Sequence, residues 1–368
     1  MEKAVSYDLV VIGGGPAGTA AAITAAHSGA RVLLLERGRF PRHKVCGEFF
    51  SAESLDLLAG LLDSRHARLL THAVRITNTR VFIDGRTLRA PIDPPAASIA
   101  RLDLDWALWE SAARSNVERR HQTTVQGISG KGPFTISTAT CEFEADAVIN
   151  ASGRWSNLRT LAEDQNDPVK WIGLKAHFEE AVPASSVDLY FFDGGYCGVQ
   201  PVKPGGNSES GTVNVCAMVR ANVASTLFEV FARHPALQER SRQWRLVTEP
   251  VSTSPLFFRK PEPERDGILM VGDSAGFVDP FVGDGISLAL RSGAAAAQCL
   301  TAFFAGRISL REAARQYRQI YERQLVGVFR ASAKIRHMLL LPRVVRKPIL
   351  LFMEKAPPVT RYLVRKTR

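Results

Sequence analysis

Short runs of consecutive apolar residues, stopped by glycine at residues 13 and 272, occur in the first and last thirds of this chain. Longer stretches of two-residue alternation lie between them. Residues 8–12 (DLVVI) predict a strand buried on both faces, as in a parallel sheet. The alanine-rich stretch 16–27 predicts a helix, and 31–35 a second buried strand that ends at Glu36. Residues 268–271 (ILMV) predict another such strand, and a helix is expected to begin near Ile286. Residues 69–94 alternate polar and apolar, with Asp84-Gly85 as a hairpin turn signal. A second strand-rich region covers 169–258, and from Leu310 the pattern is helical. The class is α/β, and the chain leaves its parallel-sheet domain twice to build a second sheet.

The loop at 13–18 (GGGPAG) joins the first strand to the first helix. Gly13, Gly15 and Gly18 match GxGxxG. In that pattern the first glycine makes a tight turn, the second lets backbone approach a pyrophosphate, and the third lets helix and strand pack closely. Pro16 and Ala17 open the helix, whose free N–H groups and dipole suit phosphate. Glu36, followed by Arg37, lies 18 residues past Gly18, near the spacing at which an acid accepts hydrogen bonds from the adenosine ribose. This half defines a dinucleotide site without saying which dinucleotide.

A second set of residues narrows it. Gly272-Asp273 ends the strand at 268–271. Pro280-Phe-Val-Gly283-Asp284-Gly285 then leads into the helix at Ile286. This arrangement resembles the FAD-dependent aromatic hydroxylases and geranylgeranyl reductases, over about residues 7–300. The resemblance implies FAD, with Asp273 on its ribityl chain. It also implies that backbone N–H groups of Gly283 to Ile286 face the flavin edge that is negative when reduced. Arg101 matches the family's cofactor-contacting arginine. Residues 147–154, with Gly153 and then Ser156 and Arg159, resemble the middle motif, which usually ends in Asp-Gly. Ser152 stands at the Asp position, so the electron donor is either NAD(P)H or another reductant.

The resemblance also implies a GR2-like Rossmann-type FAD-binding domain (1–68, 95–165 and 259–309). An inserted antiparallel β-sheet domain for substrate (69–94 and 166–258) and C-terminal helices (310–368) complete the expected organisation. Within the family, Cys46-Gly47 matches the geranylgeranyl reductase branch. A cysteine close to Lys44 and a flavin suits a proton donor; the alternative is a small residue that packs beside the ring. In the stretch that lines the prenyl tunnel, Tyr196 and Pro201 match the branch, whereas Gly198 replaces Trp and Gln200 replaces Phe. The pocket is expected to be wider or differently shaped, so a geranylgeranyl substrate does not carry over.

Charge adds one feature. The net charge is +11, and from Ala331 onward ten Lys/Arg face one acid, Glu354. Apolar residues interleave with the basic ones, as on an interfacial amphipathic segment, so an anionic membrane surface is an expected contact. A solvated helical tail is the alternative. No aromatic-studded basic strand appears, and nucleic acid is not expected. The five cysteines form no CxxC pair and no metal site is expected, consistent with a reducing cytoplasm and with a protein peripheral to the inner face of a membrane.

Two reactions share all the cofactor motifs. One is reduction of a carbon–carbon double bond in an isoprenoid- or polyketide-type hydrophobic small molecule, with Cys46 as acid. The other is NAD(P)H-dependent monooxygenation of an aromatic, polyketide or terpenoid substrate. The Trp-x-Trp-x-Ile-Pro segment usual in flavin halogenases is absent.

Overall fold

The computed structural model describes residues 5–154, 158, 170–203, 211–253 and 256–355. Ser156 and Arg159 lie outside them.

The first strand, Val5–Ile12, sits between two parallel neighbours, Val32–Leu35 and Glu142–Asn150. Leu9, Val10 and Val11 are fully buried, which is why this run is apolar at every position rather than at alternate ones. Ile12 pairs with Leu35 on one side and Asn150 on the other, and Met270 pairs with Asn150 in turn. Four parallel strands therefore end level with one another. The segments that follow them (Gly13, Glu36, Ala151 and Gly272) share one edge of the sheet, where open α/β sheets bind ligands. Helices Pro16–His27 and Gly285–Phe304 cross closely on one face. A Cβ at Gly293 would stand 2.1 Å from the carbonyl oxygen of Ala17. Helix Leu310–Gln324 docks alongside, with the Tyr317 hydroxyl donating to the Met270 carbonyl at 2.8 Å.

The second sheet has nine strands and takes both inserted stretches. Val74–Ile83 and Arg86–Ser98 form the expected hairpin, its two-residue turn made by Asp84 and Gly85 at φ +50° and +74°. Two features depart from expectation. The join between the two stretches is parallel, Ser186–Phe192 against Val74–Ile83, so the sheet is mixed rather than wholly antiparallel. The sheet also extends past 69–94: its hairpin strand runs to Ser98 and pairs there with Phe49–Phe50, directly after the Cys46-Gly47 loop. The cofactor loop is thus stitched to the sheet above it. Helices Leu227–Phe231 and Pro235–Ser241 bury Phe231 and Leu237 on the far face of that sheet. Two further helices, Val326–Leu340 and Arg343–Lys355, end the described residues, and the last part of the expected helical stretch, 356–368, lies outside them.

Candidate cofactor and substrate site

A cavity of 830 Å³ lies between the strand-end edge of the first sheet and the underside of the second. This is near the upper end for small-molecule sites, with room for more than one ligand. Gly13, Gly15, Pro16, Ala17, Glu36 and Arg37 line one region of it. Gly13 adopts φ +107°, with the Ala151 carbonyl oxygen 2.3 Å from where a Cβ would stand. Gly18 does not reach the cavity: a Cβ there would meet the Gly13 carbonyl oxygen at 1.8 Å, the close packing expected of the third glycine. The Glu36 carboxylate accepts from Gly14 N at 2.8 Å, Gly38 N at 2.7 Å and Arg42 Nη1 at 2.6 Å. Burial pushes this carboxyl up, but Arg42 and the two amides more than offset it and hold it at about 2.

The second half meets the same cavity. Gly272, Asp273, Pro280, Gly283, Gly285 and Ile286 line it, as does Gly153, whose amide donates to Ser274 Oγ at 2.7 Å. Asp273 faces the Arg154 guanidinium at 3.4 Å. Asp284 stands at the start of helix Gly285–Phe304. Its side chain is buried away from the cavity and accepts from Ser51 Oγ at 2.8 Å. Burial pushes its carboxyl up to about 6. Asp284 therefore brings only backbone to the helix start. The Ser152 hydroxyl donates to Asn150 Oδ1 at 2.6 Å, so it folds back on its own strand.

The Cys46-Gly47 loop forms the wall between the two sheets. Asn214 Nδ2 donates to the carbonyls of Cys46 and Gly47 at 3.1 and 2.8 Å. Arg101 lies beside the Cys46 side chain, whose sulfur accepts from Glu48 N at 3.4 Å, and grips Asp105 through two bonds, of 2.7 and 2.8 Å. Burial disfavours the Arg101 charge, but Asp105 and the sulfur keep it firmly protonated. Below the loop lies a cluster that sequence reasoning missed. Glu48 is fully buried and accepts from Lys175 Nζ at 2.6 Å, and its other oxygen lies 2.8 Å from His177 Nε2. Burial raises the Glu48 carboxyl, and its two basic partners bring it below the ordinary range. His43, which lines the cavity, meets His177 edge-on at 5.8 Å between ring centres.

Tyr196, Gly198 and Gln200 face the cavity, but Pro201 does not, because successive strand residues point to opposite sides of a sheet. The Tyr196 hydroxyl lies beside Asp279, a second missed residue, whose Oδ2 is 3.9 Å from Arg336. Burial pushes the Asp279 carboxyl up to about 7. The fold therefore holds this proton more tightly than the unfolded chain does. The stability it contributes is full below the ordinary carboxylate value and is lost as pH rises through 7. Asp279→Asn, neutral in both states, is expected to raise Tm by about 5 °C at pH 8 and not at pH 4. Parallel shifts at both pH values in a calorimetric scan would show that Asp279 is not held protonated.

The residues fit FAD. Helices Pro16–His27 and Gly285–Phe304 both begin without a side-chain cap, leaving first-turn amides for a ligand. Gly15, Gly47 and Gly153 line the cavity with nothing within 4 Å of where a Cβ would stand. Fold and site together define an FAD-dependent oxidoreductase.

Comparison with known proteins agrees. Residues 8–52 match the FAD dependent oxidoreductase family model. Menaquinone reductase of Mycolicibacterium smegmatis is 24% identical, over 80% of this chain and 76% of that one. Digeranylgeranylglycerophospholipid reductase of Thermoplasma volcanium is 27% identical, over 80% of this chain and 77% of that one. The structure of a flavin-dependent brominase superposes with a TM-score of 0.76 at 19% identity, covering 99% of this chain and 93% of the brominase, which shows the shared fold. The chain is similar to the geranylgeranyl reductase-like branch of the aromatic hydroxylase superfamily.

Proposed function

We propose that this chain reduces a carbon–carbon double bond of a lipophilic substrate held under the second sheet. The observation that carries the reading is the position of Cys46. Cys46 lines the cavity beside Arg101, and the same cavity is lined by the apolar side chains of Ile83, Leu88, Ile92, Leu189 and Phe191. The names of the menaquinone and digeranylgeranylglycerophospholipid reductases support a substrate of this chemical class.

FAD held by the glycine loop at Gly13 and Gly15 and by the helix start at Gly285, and reduced by NAD(P)H or another reductant, would supply the hydride. Cys46 donates its thiol proton to the other alkene carbon, and the thiolate left behind faces the Arg101 guanidinium until solvent reprotonates it. Asn214 fixes the backbone on which the thiol rides. The apolar wall excludes water from the alkene, and Gly198 and Gln200 set the shape of the pocket. Gln200 is held by Ser98 Oγ, to which its amide donates at 2.7 Å.

The decisive experiment is turnover without oxygen. The bound flavin is photoreduced under anaerobic conditions and mixed with a geranylgeranyl ether lipid or a menaquinone. Oxidation of the flavin with formation of a saturated product is the expected result. Turnover only when oxygen is admitted would overturn the reading in favour of monooxygenation. Cys46→Ala is expected to slow the anaerobic step by roughly 100-fold, the scale of a general acid. A variant that kept full rate would remove the proton-donor role and leave the hydride step standing.

A further inference from the structure

A surface helix ordinarily carries one apolar stripe, turned to the core. Helix Arg343–Lys355 carries two. Its inner side buries Leu350 and packs Met353 against Ile83 and Leu88, at the tip of the hairpin that roofs the cavity. Both residues line the cavity. Its outer side presents Val344 (84% exposed), Val345, Leu351 and Phe352 (59% exposed), and Leu340 at the end of the preceding helix and Leu341 just after it are exposed as well. Spacings of one, seven and eight residues from Val344 put the first four on one outward stripe. The helix is not loosely attached. Arg346 is buried and clamps Asp84 of the hairpin turn through bonds of 2.7 and 2.8 Å, and it also donates to the Leu339 carbonyl. The outward apolar stripe is therefore a stable surface.

Charge distinguishes the occupants of such a surface. Lys347 and Lys355 flank the stripe, Arg343 is bridged to Asp84 and Asp193 at 3.4 and 3.1 Å, and the helix's one acid, Glu354, is paired with Arg86 of the hairpin. A second copy of this chain docked through the same face would bring Lys347 and Lys355 of each copy against the same cations of the other. An anionic bilayer instead takes the apolar stripe into its interface and the basic residues against its headgroups.

We propose that helix Arg343–Lys355 and the turn before it dock on an anionic lipid surface, with the end of the cavity that this helix walls lying against the bilayer. Docking follows from the surface alone. That it delivers substrate to the cavity rests on the reading of a lipophilic substrate above.

The proposal is tested by flotation of the full-length flavoprotein with vesicles of phosphatidylglycerol and phosphatidylcholine in equal parts, and with vesicles of phosphatidylcholine alone. The expected result is retention on the anionic vesicles, weakened by salt and by omission of phosphatidylglycerol. Leu351→Glu/Phe352→Glu, changed only on the exposed stripe, is expected to lower retention roughly 10-fold or more, with unchanged melting temperature and flavin absorbance. No retention of the parent protein, or equal retention of parent and variant, would overturn the proposal. So would a parent dimer that the same substitutions split to monomers in sedimentation velocity, because the stripe would then belong to a second copy. None of these readouts needs turnover, so failure of docking and failure of the reductase reading appear in different assays.

Discussion

Glu48→Ala is expected to destabilise the protein by about 3–5 kcal/mol, the largest stability effect of a single change at this site. Lys175, 1% exposed, would keep a buried ammonium with no counter-charge, and His177 would lose the acceptor for its Nε2. The substitution also removes the acceptor of the Arg101 amide at 2.8 Å, where the helix Arg101–Arg114 starts. Glu48→Gln keeps the shape and the positive φ of 60° but not the charge, so it should recover only part of the loss. Paired with Lys175→Met it should recover more, since removing both charges of a buried pair costs less than removing one. The pH dependence has a definite sign. A carboxyl held below its ordinary value contributes stability that is present above that value and lost as pH falls. The parent protein should lose stability as pH drops below about 4.5, and Glu48→Gln should lack that part of the decline. Urea melts across pH 3 to 8 read both effects. A Glu48→Ala variant as stable as its parent would mean that the ammonium has found solvent.

Why this cluster was not legible in the sequence, while the glycine loop was, is a matter of sequence distance. The strand, turn, helix, strand and acid of residues 8–36 are contiguous, and each step has a local signal, so Gly13, Gly15 and Glu36 fall where spacing put them. The hairpin at Asp84-Gly85 was legible for the same reason. Lys175 and His177 did leave a trace: two basic residues two apart, on one face of an otherwise apolar strand, must find a partner when that face is buried. Their partner, Glu48, is 127 and 129 residues away, and nothing local points to it. The parallel join of Ser186–Phe192 to Val74–Ile83 was hidden likewise, because alternation gives a strand its faces but not its neighbour. Pro201 is a miss of another kind. The motif located its strand, and only the strand register decided which way its side chain points.

Gly15→Asp separates the two things the glycine loop does, and it should move them in opposite directions. Gly15 has φ −78° and ψ −177°, extended backbone open to any residue, and stands at the N-cap of helix Pro16–His27 with nothing within 4 Å of its Cβ position. Aspartate is among the best N-cap residues, and its charge suits the helix dipole. The apoprotein should therefore gain about 0.5–1 kcal/mol rather than lose stability. The same carboxylate occupies the space where the cofactor's pyrophosphate meets the helix terminus. Two like charges about 4 Å apart in a partly screened site repel by about 4 kcal/mol, so FAD should bind roughly 1,000-fold more weakly. Desalted protein should lose its flavin absorbance, while the stripped variant melts at or above the temperature of the stripped parent. Gly18 could not make this separation, since any side chain there collides with Gly13 and loss of cofactor could not be told from loss of fold. A Gly15→Asp protein that kept its flavin through desalting would place the phosphates elsewhere and undo the cofactor reading at its first residue.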